Sequence, residues 1–383
     1  MRRFEYDQRL TELLSVVTEL LRKGYVKWPP EAGEGPIEEA LRTLGCRIPR
    51  REGLFTLEEL GFYEEIKPSP MRTFNDTEEL LYKNWPTPLV KLKSLSKGET
   101  RVWAKLEFYN PFSMSVKDRI GWAMFNECLS GNHNPSLVLY EATSTNTGMA
   151  LAAMAAIRGL KVKLFLPSTI QKASDVLLTI MGAEVYRKPK TLTVEFIDEV
   201  EEEARRTGGV HLNQFENDAN FKVHLRYTAK ELDLQVKSVQ LKLKGIVGGL
   251  GTSGHMSAIS LYFKSRYGEH VKVYGVQPAQ GTFIPGIRRI ETGVKWFHYV
   301  KFDKVVDVTP EEAVEHVLKI ARSEGILIGL SSGAVTAAFE RLKEEGELEE
   351  GDYVLMYPDH GFKYIEQFSK FIEENLNPMT PNV

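Results

Sequence analysis

Residues 246–258, "IVGGLGTSGHMSA", indicate most clearly how this chain folds. An apolar run leads into glycines and then into a helix-forming run, which is the strand–loop–helix order of a parallel α/β unit. Gly249, Gly251 and Gly254 match the G-x-G-x-x-G spacing of a dinucleotide-binding loop. That fingerprint also requires an acidic residue at the end of the next strand, to hold ribose hydroxyls. Here the next strand ends at Gln277, so the sequence favours a loop that binds one phosphate on its backbone N–H groups.

The same alternation of strand and helix continues on both sides of this loop. Apolar runs predict strands over residues 101–108, 136–142, 162–167, 183–187, 210–213, 245–249, 271–278, 305–309, 326–330 and 353–361. Helical patterns between them begin near Val116, Asn146, Gln171, Thr193, Thr252, Pro310 and Ala334. We therefore predict an α/β fold with two lobes, each a mostly parallel sheet wrapped by helices.

The predicted organisation has four parts. Residues 1–85 form an N-terminal extension that begins with an amphipathic helix over residues 4–22. The smaller lobe spans 110–221, and the larger lobe combines 86–109 with 222–375. Residues 376–383 form a tail.

Composition excludes several classes of protein. The chain has 383 residues and a net charge of −3, so it offers no basic surface for nucleic acid or an anionic membrane. Two cysteines, Cys46 and Cys128, are too few for a disulfide framework or a cysteine zinc site, and no metal site is predicted. The start of the chain does not resemble a secretory signal, and no apolar run reaches about 18 residues. These features predict a cytoplasmic protein that does not span a membrane.

A lysine lies at a second loop–helix junction. In "NPFSMSVKDR" (110–119), Lys117 follows a flexible loop and opens a predicted helix. The positive end of a helix disfavours an ammonium ion. This position therefore predicts a lowered pKa for Lys117 and an amine that acts as nucleophile and base.

Two more junctions are rich in hydroxyl groups. In "EATSTNTGMALAA" (141–153), the five polar residues 143–147 precede a helix, which is more than an N-cap requires and suits a carboxylate. In "GLSSGAV" (329–335), Ser331 precedes a helix and by itself indicates a cap. A phosphate loop, a carboxylate loop and a lysine together match an amino-acid enzyme that uses pyridoxal 5′-phosphate (PLP). The lysine would hold the cofactor aldehyde as a Schiff base.

The motifs, taken in order, resemble a known family. "PTPLVKL", "NPFSMSVKDR", "TSTNTG", "NQFENDAN", "GLGTSGHM" and "SSGAV" make the chain similar to the cysteine synthase (O-acylserine sulfhydrylase) family. These are fold-type II PLP enzymes with a fold like that of tryptophan synthase β, and the resemblance covers about residues 85–375. It implies that Lys117 is the Schiff-base lysine, that Asn146 binds the ring hydroxyl of the cofactor and that Ser331 faces its pyridine nitrogen. The residues implied to hold the cofactor phosphate are Gly251, Thr252, Ser253, Gly254 and His255, and those implied to bind the substrate are Thr143, Ser144, Thr147, Gln214 and Phe215.

The chain departs from the family pattern at three places. Thr145 stands where the family commonly has glycine, and Asp218 stands where it often has proline. Both changes are in stretches implied to line the amino-acid site. In "IPGIRRIETG" (284–293), Arg288 and Arg289 occupy a stretch that is uncharged in acetylserine enzymes. Arginines suit phosphate because the guanidinium donates two parallel hydrogen bonds, although a surface salt bridge with Glu291 is the alternative for one of them.

These stretches look most like the O-phosphoserine sulfhydrylase branch of the family. That branch shares "NDANF", "GTSGHMSA", "QPAQG" and "PGIRR", and it also carries an N-terminal extension. The resemblance implies that O-phospho-L-serine and sulfide react to give L-cysteine and phosphate, with Arg288 on the substrate phosphate. O-acetylserine sulfhydrylase and cystathionine β-synthase are the alternatives within the superfamily, and threonine synthase is a more remote one.

Two other classes of protein remain as alternatives. A nicotinamide dehydrogenase would use 249–254 as its dinucleotide fingerprint, and the missing acid argues against it. A cofactor-binding protein without catalysis is disfavoured because Lys117, Asn146 and Ser331 are all present. We expect a homodimer in which residues 1–85 help to cover the partner, and a lobe that closes over the substrate.

Overall fold

The computed structural model describes residues 71–130 and 134–375, and within them the strands build two sheets. The predicted helix over 4–22 lies outside the described residues. The strands are β1 (Leu89–Lys97), β2 (Thr100–Leu106), β3 (Val138–Ala142), β4 (Lys161–Pro167), β5 (Glu184–Lys188), β6 (Val210–His211), β7 (Leu243–Gly249), β8 (Lys272–Pro278), β9 (Lys304–Val308) and β10 (Asp352–Tyr357).

Helices connect the strands and cover the sheets. A turn of π-helix over residues 224–229 lies between the α-helices Ala219–Val223 and Lys230–Ser238. The α-helices are α1 (Thr77–Tyr82), α2 (Lys117–Leu129), α3 (Asn146–Arg158), α4 (Ala173–Ile180), α5 (Ile197–Thr207), α6 (Ala219–Val223), α7 (Lys230–Ser238), α8 (Gly254–Tyr267), α9 (Pro310–Glu324), α10 (Leu330–Glu344) and α11 (Ile365–Asn375).

The two sheets are mostly parallel, which confirms the predicted fold class. The larger has the order β1-β2-β10-β7-β8-β9, in which β1 pairs antiparallel with β2 and the other neighbours are parallel. The smaller has the order β5-β4-β3-β6 and is parallel throughout. In parallel sheets the carboxyl ends of the strands share one edge. The loops that follow β7 and β10 therefore lie at one edge of the larger sheet, and the loop that follows β3 lies at the corresponding edge of the smaller sheet.

Successive residues of the central strands pack in different hydrophobic cores, on opposite faces of the sheet. Ile246 of β7 packs in the cluster that contains Phe263 of α8, whereas its neighbour Val247 packs with Ala338 of α10 on the other face. Side chains of a strand alternate between faces, so a continuous apolar run such as this one indicates a strand covered on both sides.

Signals in the sequence set the ends of α9. Thr309 accepts a hydrogen bond from the backbone N–H of Glu312, whose side chain in turn accepts one from the Thr309 N–H. Pro310 occupies the first helical position, and the helix ends at Gly325 with φ 73°. This capping box and the left-handed glycine fix both termini.

The strand predicted over 326–330 is wrong. Ile328 forms a single β-bridge with His360, and α10 already begins at Leu330, four residues before the predicted start at Ala334. The apolar side chains of Ile328 and Leu330 are buried in the core without sheet pairing. Burial alone therefore produced the apolar run, which periodicity does not distinguish from a strand.

Residues 77–85 pack onto the body of the protein. Leu81 and Trp85 are both 0 % exposed and lie in one cluster with Ile120 and Met124 of α2 and Val223 of α6. The part of the predicted extension that contains these residues is thus fixed to the chain's own core.

Two searches of the described residues bear on membrane and metal binding. No helix in 71–130 or 134–375 is both long and apolar enough to cross a bilayer. Within the same ranges, His, Cys, Asp and Glu side chains form no group of three or more suited to a metal ion.

Candidate active site

Lys117 is the first residue of α2, at the end of a loop that its own helix holds in place. The Asp118 carboxylate accepts hydrogen bonds from the backbone N–H groups of Phe112 (2.7 Å) and Ser113 (2.8 Å). The Ser115 hydroxyl accepts one from the Lys117 N–H at 3.1 Å. Burial raises the pKa of Asp118 to about 6, against the effect of these donors. These hydrogen bonds hold the predicted loop against the start of α2 and so fix the backbone position of Lys117.

The amine of Lys117 has a lowered pKa. Removal from water lowers it to about 8, while the Asp359 carboxylate raises it and the Arg288 guanidinium lowers it. The sequence predicted the direction of this shift but attributed it to the helix end, whereas burial is the largest cause. A pKa near neutrality gives an amine that can be both nucleophile and proton acceptor.

The glycine-rich stretch connects β7 to α8 in a conformation that requires glycine. A Cβ on Gly251 would lie 2.5 Å from the carbonyl oxygen of Gly286, and one on Gly254 would lie 2.3 Å from Asn220 Oδ1. Ser253, between them, has φ 72°, in the left-handed region. The backbone is therefore packed closely by neighbouring loops, while the first N–H groups of α8 have no partner within the helix.

Hydroxyl groups line the same loop. Thr252 Oγ1 accepts a hydrogen bond from Asn220 Nδ2 at 2.9 Å, and Ser253 Oγ accepts one from the Trp296 N–H at 3.1 Å. Because each hydroxyl accepts there, its own O–H remains a donor for an anion. His255 is buried, which lowers its pKa to about 3, so its imidazole is neutral. The arrangement suits a phosphate bound by N–H and O–H donors.

The hydroxyl-rich loop after β3 is joined to Gln214. Thr147 Oγ1 donates to Gln214 Oε1 at 2.7 Å, and Gln214 Nε2 donates to the Ala142 carbonyl at 3.0 Å. Thr143 Oγ1 accepts from the N–H of Gly148, in the first turn of α3, at 3.1 Å. The structure thus joins Gln214 to the loop of Thr143 and Thr147, which is 67 residues away in sequence. Ser144 lies in the same loop.

Asn146 and Ser331 lie at two other helix starts. Asn146 opens α3 and donates through Nδ2 to Asp359 Oδ2 at 2.9 Å. Ser331 is in the first turn of α10 and is 2 % exposed. A Cβ on Gly286 would be 3.7 Å from Ser331 Oγ, so the turn that precedes Arg288 faces this serine.

The two arginines have different surroundings. Arg288 Nε donates to the Gly251 carbonyl at 2.8 Å, and its guanidinium lies 4.9 Å from the ring centre of Phe215. Arg289 forms salt bridges with Glu291 (2.9 Å) and Asp307 (2.8 Å). Arg288 therefore contacts the loops of the site, and Arg289 is held in surface ion pairs.

The two smaller departures from the family pattern contact neighbouring loops. The Thr145 hydroxyl is 2.7 Å from the Ser174 hydroxyl of α4. Asp218 accepts from Trp296 Nε1 at 2.8 Å and pairs with Lys295 at 3.1 Å. These residues join loops to each other, a role that the sequence did not indicate.

Comparison with known proteins identifies the family. The profile of the family described as "Pyridoxal-phosphate dependent enzyme" matches residues 80–359. The chain belongs to this family. The PLP enzyme is 37% identical to cysteine synthase B of Pseudomonas aeruginosa over 285 residues, which are 73% of this chain and 93% of that protein. It is 32% identical to cysteine synthase of Aquifex aeolicus, over 80% of this chain and 94% of the relative.

Solved structures agree with this family. A crystal structure of O-ureido-L-serine synthase aligns with a TM-score of 0.70 and 25% identity, over 81% of the PLP enzyme and 98% of that chain. A hydrogen sulfide-producing enzyme of Fusobacterium nucleatum aligns with a TM-score of 0.68 and 28% identity, over 76% of the PLP enzyme and all of that chain. Cystathionine beta-synthase of Saccharomyces cerevisiae is 32% identical over 74% of the PLP enzyme and 61% of its own length. The predicted family resemblance and cofactor are confirmed.

The site residues fit PLP. Buried polar atoms without a partner in the described chain include Asn146 Oδ1, Asn220 Oδ1, His255 Nε2 and Asp359 Oδ1, all from loops or helix ends described above. A buried polar atom without a partner costs about 1–3 kcal/mol, so a polar ligand is expected here. Thr252 and Ser253 with the start of α8 would hold the phosphate, and Lys117 would bind the aldehyde carbon.

The sequence analysis missed Asp359 and Tyr364. Asp359 is 1 % exposed and accepts hydrogen bonds from Asn146 and, at 2.5 Å, from the Tyr364 hydroxyl. The available signal was the stretch "YPDHG", which puts a carboxylate directly after a buried parallel strand, at the edge where such sheets bind ligands.

Proposed function

We propose that this PLP enzyme makes L-cysteine by replacing the β-substituent of an activated serine with sulfide. Support comes from relatives named cysteine synthase, from the lowered pKa of Lys117 and from the hydrogen bond that joins Thr147 to Gln214. PLP, when bound, withdraws electrons from the α-carbon of the amino acid attached to it. The chain's own residues must then bind the substrate, move its α-proton and stabilise the leaving group.

Each of these tasks has a candidate residue. The α-carboxylate of the substrate would bind the N–H groups and hydroxyls of residues 143–147, beside Gln214. Lys117 Nζ would accept the α-proton, because with a pKa of about 8 part of the amine is unprotonated near neutral pH. Ser331 would offer the cofactor ring a hydroxyl instead of a carboxylate, which would leave the ring nitrogen largely neutral and suit loss of a β-substituent.

The proposed donor is O-phospho-L-serine, and the products are L-cysteine and phosphate. The observation that carries this choice is the position of Arg288, whose guanidinium stacks on Phe215 beside Gln214 and acts electrostatically on Lys117. A guanidinium so placed would donate hydrogen bonds to the substrate phosphate and to the leaving phosphate, in place of its long contacts of 3.4 and 3.3 Å to the Thr292 and Gly293 carbonyls. An acetyl group carries no charge for it to bind.

The test compares two donors in three proteins at fixed sulfide concentration. A hydrogen bond to a charged group contributes about 1.5–3 kcal/mol, so Arg288→Ala should lower kcat/KM for O-phosphoserine by roughly 10- to 100-fold. O-Acetylserine should be affected little. Arg289→Ala is the matched control and should leave both rates near wild type, because its partners are Glu291 and Asp307.

Equal losses with both donors in Arg288→Ala would assign the arginine a structural role. The proposed function would then fall back to the alternatives, O-acetylserine sulfhydrylase or cystathionine β-synthase. The proposal also locates the enzyme in the cytoplasm, where thiols such as that of Cys128 remain reduced.

A further inference from the structure

Asp359 lies where three helix starts meet. It follows β10 directly, and its backbone pairs with Ser115, two residues before α2. Its carbonyl accepts from the N–H of Gly329, the residue before α10, at 2.9 Å, and its carboxylate accepts from Asn146 at the start of α3. One carboxylate is thus fixed relative to Lys117, Asn146 and Ser331 at once.

The backbone around Asp359 is held on both sides. The Val116 N–H donates to the Pro358 carbonyl at 2.7 Å, and the His360 N–H donates to the Met114 carbonyl at 3.2 Å. On the other side, a Cβ on Gly329 would lie 2.0 Å from Asp359 Oδ1, so that position accepts only glycine. The backbone of Asp359 therefore cannot move away without displacing the loop that carries Lys117.

One oxygen of this carboxylate has no protein donor. Oδ2 accepts from Asn146 and Tyr364, whereas Oδ1 is buried and unpaired in the described chain. A buried anion with a free oxygen is costly unless a positive charge or donor lies near it. The charged and titratable groups that act on or with Asp359 are Lys117, His360, Lys363 and Tyr364.

The surroundings of Lys117 leave Asp359 as the charge that favours its ammonium form. Asp359 and Arg288 act on the amine in opposite directions. The imidazoles of His224 and His255 also face it, and burial lowers the pKa of both far enough to keep them neutral. Lys363, the other cation near Asp359, donates to the Ser113 carbonyl at 2.7 Å.

We propose that Asp359 is a positioning residue of the active site, which serves as counter-ion to the Lys117 ammonium and holds Asn146 in place. The inference rests on the proposed role of Lys117 as base. A base that has taken a proton in a buried site needs an anion nearby, or it releases the proton too easily. Asp359 supplies that anion without joining the reaction, and Tyr364 fixes its second oxygen.

The test titrates Lys117 in the enzyme freed of cofactor. Trace acetic anhydride modifies the neutral amine, and peptide mass spectrometry gives the modified fraction of Lys117 against pH, with the exposed Lys91 as internal reference. Asp359→Asn removes the charge but keeps the shape. Loss of an opposite charge lowers a lysine pKa, so its midpoint should fall by about half a unit or more relative to wild type.

Tyr364→Phe is the matched variant, because it keeps the carboxylate and removes a hydrogen bond to it. Its midpoint should rise, since the charge on Asp359 becomes more available to Lys117. A midpoint that is unchanged or higher in Asp359→Asn overturns the proposal. If Asp359→Asn does not fold, a higher midpoint in Tyr364→Phe supports the proposal, and an unchanged or lower one overturns it. The titration requires no turnover, so its result is independent of whether the enzyme makes cysteine.

Discussion

At the scale of single residues, the chemistry of Lys117 depends on what surrounds its amine. Burial lowers the pKa to about 8, and Asp359 and Arg288 adjust it in opposite directions. The same Arg288 contacts the phosphate loop through Gly251 and the substrate loop through Phe215. In the proposed mechanism, one guanidinium would therefore link binding of the donor to the reactivity of Lys117.

Replacement of Lys117 should abolish turnover and leave the fold intact. Lys117→Ala removes both the nucleophile and the base, and loss of a general base alone costs about 10²- to 10⁴-fold in kcat. Its circular dichroism spectrum should match wild type, because Lys117 lies at a loop–helix junction, whereas its Tm should fall because the buried Asp359 carboxylate loses a nearby cation. The measurements are sulfide-dependent cysteine formation, the visible spectrum with added PLP, and circular dichroism.

Lys91→Ala, at an exposed position of β1, is the control and should behave as wild type in all three assays. Near-normal turnover by Lys117→Ala would contradict the assignment of this lysine. So would borohydride fixation of PLP at wild-type yield in that variant.

Residues that carry a local signal were visible in the sequence, and residues defined by distant contacts were not. Lys117 and the glycines of 249–254 stand at junctions whose neighbours are close in sequence. The proposed role of Asp359 depends on contacts with Asn146 and Ser115, which are more than 200 residues away in sequence. The resemblance already favoured Arg288 over Arg289, and the structure adds that Arg289 pairs with Glu291 and Asp307.

At the scale of elements, a network of buried charged side chains holds α2, the helix that begins at Lys117. Arg119 Nε donates to Glu107 Oε2 at 2.6 Å, and Arg119 Nη1 donates to Glu231 Oε2 of α7 at 3.0 Å. Lys105 of β2 pairs with Glu231 at 2.6 Å, and all four side chains are 0 % exposed. Although burial opposes ionisation, Arg119 and Lys105 lower the pKa of Glu107 to about 2. The network thus joins α2 to the larger sheet.

Removal of Arg119 should destabilise the protein strongly. Arg119→Ala leaves two buried carboxylates without their main partner, which costs about 3–5 kcal/mol. Arg158→Ala is the matched control on α3, because Arg158 forms an exposed pair with Glu78 at 2.6 Å and such pairs contribute about 0–1 kcal/mol. Urea unfolding followed by fluorescence measures both. Similar losses in the two variants would show that the buried network does not stabilise α2.

Elements were predictable where periodicity or caps were strong. The strands at β7 and β8 and the start of α9 at Pro310 follow their sequence signals closely. The run at 326–330 failed because Ile328 and Leu330 are buried by neighbouring helices and not by sheet pairing. Sheet order was also hidden, since β10 inserts between β2 and β7 although the strands from β3 to β9 separate it from β2 in sequence.

At the scale of the whole molecule, the sequence before residue 71 contains an apolar pattern that predicts a protein interface. Residues 4–22 place Leu10, Leu13, Leu14, Val17, Leu20 and Leu21 on one predicted face. Burial of each such side chain contributes about 1.5–3 kcal/mol, enough for an interface after the costs of association. Because Leu81 and Trp85 pack in the chain's own core, a deletion up to residue 85 would damage the fold, and the informative deletion ends at residue 70.

The expected assembly is a homodimer that this segment helps to hold. Deletion of residues 2–70 should convert a dimer into a monomer in sedimentation velocity at micromolar concentration, while circular dichroism shows an intact α/β body. Deletion of residues 376–383 is the control and should leave the dimer unchanged, because that stretch has no apolar stripe. A truncated protein that sediments as a dimer with wild-type concentration dependence would refute the role of the segment. In that case the interface must lie on the surface of residues 71–375.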